Sequence, residues 1–202
     1  MKLKICGINH LEVLSHLVNL KVHYLGFIYF ENSPRAISRQ FLCDVNILDL
    51  KDSTPVVVLV NPTASKVDEV LNAMPEAILQ FHGDESDKFC SQFGVNYWKS
   101  VSIQNLESLT ALEDFPKAHK ILLETYSAAQ YGGSGSTFDW SLIASLNLEE
   151  RFVLAGGINA KNIKDAIALN PWCIDVNSGV ESDIAVKDKD LITNITEIFH
   201  EK

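Results

Sequence analysis

No apolar run in this sequence approaches the ~20 residues that a membrane-spanning helix needs. No CxxC pair appears among its four cysteines, Cys6, Cys43, Cys90 and Cys173, which are widely spaced. The six histidines and the carboxylates form no HExxH or other clustered pattern, so a metal requirement has no support. Positive charge is scarce: 17 basic residues stand against 26 acidic ones, a formal net charge of −9. Without a basic surplus there is little to displace counterions from nucleic acid or an anionic membrane, so neither is an expected partner. A small anion stays open, because a few local donors can hold one phosphate against an unfavourable mean field. The opening "MKLKICGIN" lacks the apolar stretch and cleavage-site pattern of a secretory signal. The expectation is a cytoplasmic protein with reduced thiols.

What the chain does have is a regular succession of short apolar runs, in a composition 47% hydrophobic and 21% charged that reads as globular. They begin "LKICGI" at Leu3, "YLGFIYF" at Tyr24, "PVVVLV" at Pro55 and "AILQFH" at Ala77. They continue as "VNYWKSVSI" at Val95, "KILLE" at Lys120, "RFVLAGG" at Arg151 and "WCIDVNSG" at Trp172. Branched and aromatic residues fill most of them almost continuously, as in strands buried on both faces. Between them lie segments of helical length. "NHLEVLSHLVNL" puts Leu11, Leu14, Leu17 and Val18 on one stripe, and "NAKNIKDAIAL" does the same with Ile163, Ala166 and Ile167, with Asn159 as the expected N-cap. "SRQFLCDVNILDL", "ASKVDEVLNAM" and "KDLITNITEIFHEK" are further helical candidates. Repeated βα units fit an open doubly wound sheet or a closed (β/α)8 barrel. Eight runs favour a small single-domain barrel over residues 1–202, although about 25 residues per unit is tight against the usual ~250-residue total.

Both architectures collect ligands at the carboxyl ends of the strands. The polar residues that terminate the apolar runs are therefore the ones to weigh. Cys6, after the first run, is either a small buried hydrophobe or a thiolate base. Lys4, two residues earlier, points to the same side by strand alternation. Arg35, in "ENSPRAIS", offers a planar fork for a carboxylate or phosphate, or simply faces solvent. His82, in "QFHGDE", can donate to a ligand or bond a neighbouring loop. Glu124 stands where "KILLE" stops, and Asp175 with Ser178 mark the eighth run; Asp175 is a candidate for orienting loop amides. Asp139, in "STFDW", is expected to cap a helix beginning near Ser141, with Phe138 and Trp140 packing beside it.

Three glycine-bearing turns, "YGGSGS", "LAGGIN" and "DVNSGVE", follow the sixth, seventh and eighth runs. Successive glycines let backbone N–H groups converge on an anion. Each turn alone is weak, but turns after the seventh and eighth strands match the usual phosphate site of a barrel. No GK[ST] ending makes the first of them a Walker A loop.

Taken in order, "LKICGI", "GFIYFENSPR", "ILQFHGDE", "LLETY…YGGSGSTFDW", "FVLAGGIN" and "IDVNSGVE" resemble phosphoribosylanthranilate isomerase, the isomerase of tryptophan biosynthesis, over essentially the whole chain. The resemblance implies a small (β/α)8 barrel that performs an Amadori rearrangement without metal or organic cofactor, acting on the phosphorylated aminoaldose N-(5-phosphoribosyl)anthranilate. By the same resemblance the family's cysteine base matches Cys6, its anthranilate-binding arginine Arg35, and the histidine of its fourth-strand motif His82. Lys4 and Asp175 join Arg35 and His82 as candidate substrate contacts. The phosphate would be held by Gly156, Gly157, Ser178 and Gly179, with Gly133 and Ser134 near the mouth. The family's acid, an aspartate, aligns with Glu124, one methylene longer.

The implied mechanism needs an acid that keeps its proton beside a base that has lost one. Unperturbed values run the other way, ~4.3 for Glu and ~8.5 for Cys. The expectation is that burial raises Glu124 while Lys4 lowers Cys6. Two rival readings remain: a non-catalytic barrel that binds a phosphorylated metabolite, and another sugar-phosphate isomerase or synthase on the same scaffold. Pattern alone leaves monomer and homodimer open.

Overall fold

Each of the eight apolar runs forms a strand, and the strands pair in chain order, all parallel, until the eighth meets the first. The computed structural model describes residues 1–125, 139–143, 146 and 150–201. The strands are β1 (Lys2–Ile5), β2 (Tyr24–Ile28), β3 (Thr54–Leu59), β4 (Ile78–Phe81), β5 (Tyr97–Ile103), β6 (Lys120–Thr125), β7 (Phe152–Leu154) and β8 (Cys173–Val176). Outside them run α1 (Leu11–Asn19), α2 (Arg39–Asn46), α3 (Ala64–Ala73), α4 (Asp87–Ser91), α5 (Ile163–Ala168) and α6 (Lys189–His200). A 3-10 helix, Leu106–Asp114, replaces an α-helix between β5 and β6. Short outer elements explain how eight units fit in 202 residues. Among the described residues no helix is long and apolar enough to cross a membrane.

Helix starts follow local chemistry. The side chains of Ser38, Thr63, Ser86 and Asp188 each accept a backbone N–H of the first turn they cap. Asn159 does not cap α5 as expected. Its backbone forms an isolated parallel bridge with Gly179, its side chain accepts from Lys161 N at 2.9 Å, and the helix begins only after Asn162. Pairing between the β7 and β8 loops thus delays the helix. Asp139 accepts from Ser141 N at 3.0 Å, at the start of a short 3-10 turn over Trp140–Ile143; Phe138 lies outside the described residues.

Alternation along each strand divides the apolar side chains into two cores. The larger packs the outward faces against the helices, with Leu3, Ile5, Phe27, Leu79 and Ile121 meeting Leu14, Leu42, Val67 and Phe199. The smaller fills the barrel, with Val56, Trp98, Leu122, Val153 and Cys173. Tyr24, Trp98 and Trp172 meet edge to face or tilted, at ring separations of 5.0 to 5.8 Å. The Lys120 ammonium sits 4.1 Å above the Trp172 ring. These groups belong to the amino ends of β2, β5, β6 and β8, so they plug that end.

After β8 the chain adds a feature the sequence patterns did not suggest. Two short antiparallel strands, β9 (Glu181–Asp183) and β10 (Val186–Lys187), form a hairpin beside the barrel's carboxyl end.

Gly26 of β2 is where the inner wall is tightest. A Cβ there would lie 2.7 Å from Cys6 Sγ and 2.8 Å from Cys6 Cα, and the latter is backbone that cannot swing away. Gly26→Ala is therefore expected to destabilise the fold by about 1–3 kcal/mol through overpacking. Urea denaturation measures this directly, and an unchanged midpoint would show that β1 and β2 separate there without strain.

Candidate active site

The alternation that fills the barrel also sends a column of polar side chains up its inner wall. On β1 the column is Lys4 then Cys6, and on β8 Asp175, which stands opposite Lys4 in register. Lys4 Nζ donates to Asp175 Oδ2 at 2.8 Å, and Lys4 has no exposed surface. Burial pushes the Lys4 ammonium down in pKa, but the Asp175 carboxylate and Cys6 outweigh it, and the net direction is up. Lys4 is thus a buried cation beneath the cavity, not part of its lining. Asp175 does line the cavity, and its Oδ1 is buried without a hydrogen bond among the described residues.

Glu124 ends β6 facing inward, 6% exposed. Its Oε1 accepts from Ser100 Oγ at 2.8 Å and lies 3.5 Å from Ser102 Oγ, both on the neighbouring β5. His82 Nε2 lies 2.9 Å from the same oxygen, close enough for a charge contact though not aligned as a hydrogen bond. Gln80 Nε2 lies 3.1 Å from His82 Nδ1, within hydrogen-bond distance. All these contacts converge on Oε1. Oε2 makes no hydrogen bond among the described residues, so the carboxylate is anchored by one oxygen and presents the other.

Arg35 enters from the loop after β2. That loop turns back sharply: Ala36 N donates to Ser33 O, Ile37 N to Ile28 O, and Arg35 N to Ser33 Oγ. The side chain is buried, not solvent-facing. Its Nε and Nη2 donate to Glu181 Oε1 and Oε2 at 2.8 and 2.7 Å, and Lys187 Nζ donates to Glu181 Oε1 at 2.7 Å. Burial opposes the charge on Glu181, but Arg35 and Lys187 outweigh it and hold the carboxyl below its ordinary range.

The turns after β7 and β8 complete the rim. Gly156 and Gly157 both adopt left-handed backbone, at φ +88° and +65°. Both the Asn159 and Asn162 carboxamides donate to Gly157 O, at 3.0 Å each. Among the described residues the N–H groups of Gly156, Gly157 and Ser178 have no backbone partner. At Gly179 a Cβ would come within 1.9 Å of Ile158 O, so only glycine lets the two turns press together. Gly133 and Ser134 lie outside the described residues.

Cys6, Arg35, His82, Glu124, Asp175 and the Gly156–Gly157 and Ser178 turns all line one cavity of about 470 Å³ at the carboxyl end of the barrel. That volume suits a small organic phosphate. The expected pair of pKa shifts is reversed, however. Burial pushes the Cys6 thiol up, and the attraction of Lys4 offsets only part of that. Burial also pushes Glu124 up, but His82, Ser100 and Ser102 together hold its carboxyl below the usual value. The expectation treated burial as acting on the acid alone, whereas it acts on both groups, and the donors cluster around Glu124. Sequence reasoning missed Gln80, Ser100, Ser102, Glu181 and Lys187. The first three share inner-face alternation with His82 and Trp98, a legible signal. Nothing local marked Glu181 and Lys187 as paired.

Comparison with known proteins gives a consistent picture. The family model described as N-(5'-phosphoribosyl)anthranilate (PRA) isomerase matches residues 3–198. The N-(5'-phosphoribosyl)anthranilate isomerase of Legionella pneumophila (strain Paris) is 38% identical over 192 residues, 93% of this chain and 91% of that protein. The crystal structure of phosphoribosyl anthranilate isomerase from Thermotoga maritima superposes with a TM-score of 0.90 at 29% identity, covering 100% of both chains. A structure of a phosphoribosyl anthranilate isomerase in complex with reduced 1-(o-carboxyphenylamino)-1-deoxyribulose 5-phosphate superposes at 0.88, with 28% identity and 100% coverage of both.

The direction at Cys6 is open to direct titration. With no substrate present, carboxymethylation of Cys6, followed by mass spectrometry of its peptide, is expected to keep accelerating above pH ~8.5, the midpoint of a free thiol. A midpoint at or below that value would mean that Lys4 dominates over burial.

Proposed function

The chain belongs to the N-(5'-phosphoribosyl)anthranilate isomerase family, and from that premise we propose that it converts N-(5-phosphoribosyl)anthranilate to 1-(2-carboxyphenylamino)-1-deoxyribulose 5-phosphate in tryptophan biosynthesis. The observation that carries this reading is the convergence of a thiol, a carboxyl, an arginine and two glycine turns on one cavity. The substrate offers a matching set: a phosphate for the backbone N–H groups of Gly156, Gly157 and Ser178, an aryl carboxylate for Arg35, and a ribose between them. The protein acts as one domain, in the cytoplasm.

The chemistry follows from what each group can reach. Glu124, through Oε2, protonates the ribose ring oxygen as the C1′–O bond breaks and the nitrogen lone pair forms a Schiff base. Cys6 as thiolate takes the proton from C2′. The electron pair of that bond forms the C1′–C2′ double bond and returns the imine electrons to nitrogen. The resulting enolamine gains a proton at C1′ and loses its C2′ hydroxyl proton, giving the ketone. Asp175 and His82 line the same cavity as Cys6 and Glu124.

Protein groups alone favour a neutral thiol and an ionised carboxyl, so the reactive pair is reached by moving one proton from Cys6 to Glu124. Lys4 and Lys187 are the cations that support the thiolate. Well-placed acids and bases contribute ~10²–10⁴-fold each, so a minority protonation state is compatible with turnover.

Two outcomes are expected. In an assay following loss of anthranilate fluorescence, Cys6→Ala abolishes turnover and Glu124→Gln lowers kcat at least about tenfold; neither variant restores tryptophan-independent growth to a cell lacking this isomerase as the parent does. A much smaller loss in Glu124→Gln would mean that another group supplies the proton. The pH profile of kcat/KM, which reports the free enzyme, should show a broad plateau. Activity falls at low pH once Glu124 and Cys6 are both protonated, and at high pH once both have lost their protons. Between the lowered carboxyl and the raised thiol, the active tautomer is a constant fraction. A narrow bell inside pH 6 to 8 would contradict the two shifts.

A further inference from the structure

The hairpin β9–β10 is held to the barrel by charge rather than by apolar contact. Its apolar side chains are exposed, Ile184 at 69% and Val186 at 52%. Its buried groups are instead the side chains of Glu181 and Lys187. Lys187 Nζ is saturated by Glu181 Oε1 at 2.7 Å and by Asn177 O and Oδ1, each at 2.8 Å. Glu181 in turn spans the Nε–Nη2 edge of Arg35. Buried ion pairs are a weak source of stability compared with apolar packing of the same volume. They do, however, fix the direction of a planar group.

We propose that Glu181, locked by Lys187, is a positioning residue that sets substrate specificity: it takes one edge of the Arg35 guanidinium so that the other is aimed at the aryl carboxylate of the substrate. This rests on the reading of Arg35 as the carboxylate's partner. A guanidinium has two edges that can hold a carboxylate bidentately. With Nε and Nη2 committed, the Nη1 side remains, and Nη1 makes no hydrogen bond among the described residues while Arg35 lines the cavity. An arginine already held in its bound orientation loses less freedom when the ligand arrives. Lys187 has a second effect. Arg35 and Glu181 alone would be neutral, whereas two cations around one anion leave a net positive charge to attract a carboxylate.

Orientation and bare charge make opposite predictions for Glu181→Gln, which keeps the side chain's shape. Removing the negative charge makes the site more positive, so charge alone would lower KM for a carboxylated substrate. Loss of orientation would raise it. Steady-state kinetics are measured for the parent, Glu181→Gln, Lys187→Met and Arg35→Gln on phosphoribosylanthranilate and on the corresponding aniline derivative, which lacks the carboxylate. Where the aniline compound turns over too slowly, its inhibition constant is used. Circular dichroism checks that each variant is folded. If Glu181→Gln is not, Glu181→Asp, which keeps the charge but shortens the reach to the Nε–Nη2 edge, separates orientation from charge, because only loss of orientation then raises KM.

The expected result is a KM about tenfold higher for the carboxylated substrate in Glu181→Gln and Lys187→Met, the size of one charge-assisted contact made poorly. In Glu181→Gln kcat stays within about threefold. Lys187→Met also lowers kcat for both compounds, because it removes a cation that supports the Cys6 thiolate, and in both variants the binding constant for the aniline compound is unchanged. A purely structural role would shift both substrates together, and that result overturns the proposal. So does an unchanged or lower KM for the carboxylated substrate while Arg35→Gln still loses the preference. If Arg35→Gln keeps the full preference for the carboxylated substrate, Arg35 is not the carboxylate's partner, and the premise fails along with the proposal.

Discussion

The ion pair between Lys4 and Asp175 sits where the barrel closes. β1 and β8 are the first and last strands of the sheet, and these two residues face each other across the seam in direct register. Removing one member of such a buried pair typically costs about 3–5 kcal/mol, because the other is left charged in an apolar surround. The pair therefore couples closure of the barrel to the site above it. Cys6 stands one inward step further along β1, and Asp175 forms part of the cavity floor. The cation that completes the seam is also the one that most supports a thiolate at Cys6.

From that seam the site is assembled by repetition of one geometric rule. A strand shows every second residue to the interior, and eight strands bring their last inward residues to a common rim. Aromatic rings plug the opposite end, so the polar groups gather at only one mouth. On β4 the rule stacks Gln80 below His82; on β5 it stacks Ser100 and Ser102 beside Glu124 on β6. These neighbours hold the Glu124 carboxylate against the barrel wall. Its contacts within the wall all fall on Oε1. The same contacts hold the carboxyl's pKa down, a direction that burial alone would not give.

The charge network around Arg35 is built differently. Its members come from the loop after β2 and from the hairpin after β8, elements that meet only because β1 and β8 are neighbours in a closed sheet. No periodic pattern connects Arg35 with Glu181, 146 positions away. Their contact is a product of closure.

The sequence by itself determined the eight strands, the shared side of Lys4 and Cys6 on the first, and the strand-end positions of Cys6, Glu124, His82 and the glycine turns, because strand alternation and turn chemistry are local properties. Helices α1, α2, α3 and α6 were legible from their periodicity, α4 was not anticipated, and Asn159 was misassigned as a cap because a long-range bridge claimed it. The tertiary structure alone decided that Lys4 is a buried ion-pair partner outside the cavity lining, that Glu181 holds Arg35, and that the pKa values of Cys6 and Glu124 move opposite to expectation. Each of these depends on the balance of burial against the few charges and donors within hydrogen-bond distance. That balance is set by which strands and loops become neighbours, and no stretch of contiguous residues contains it.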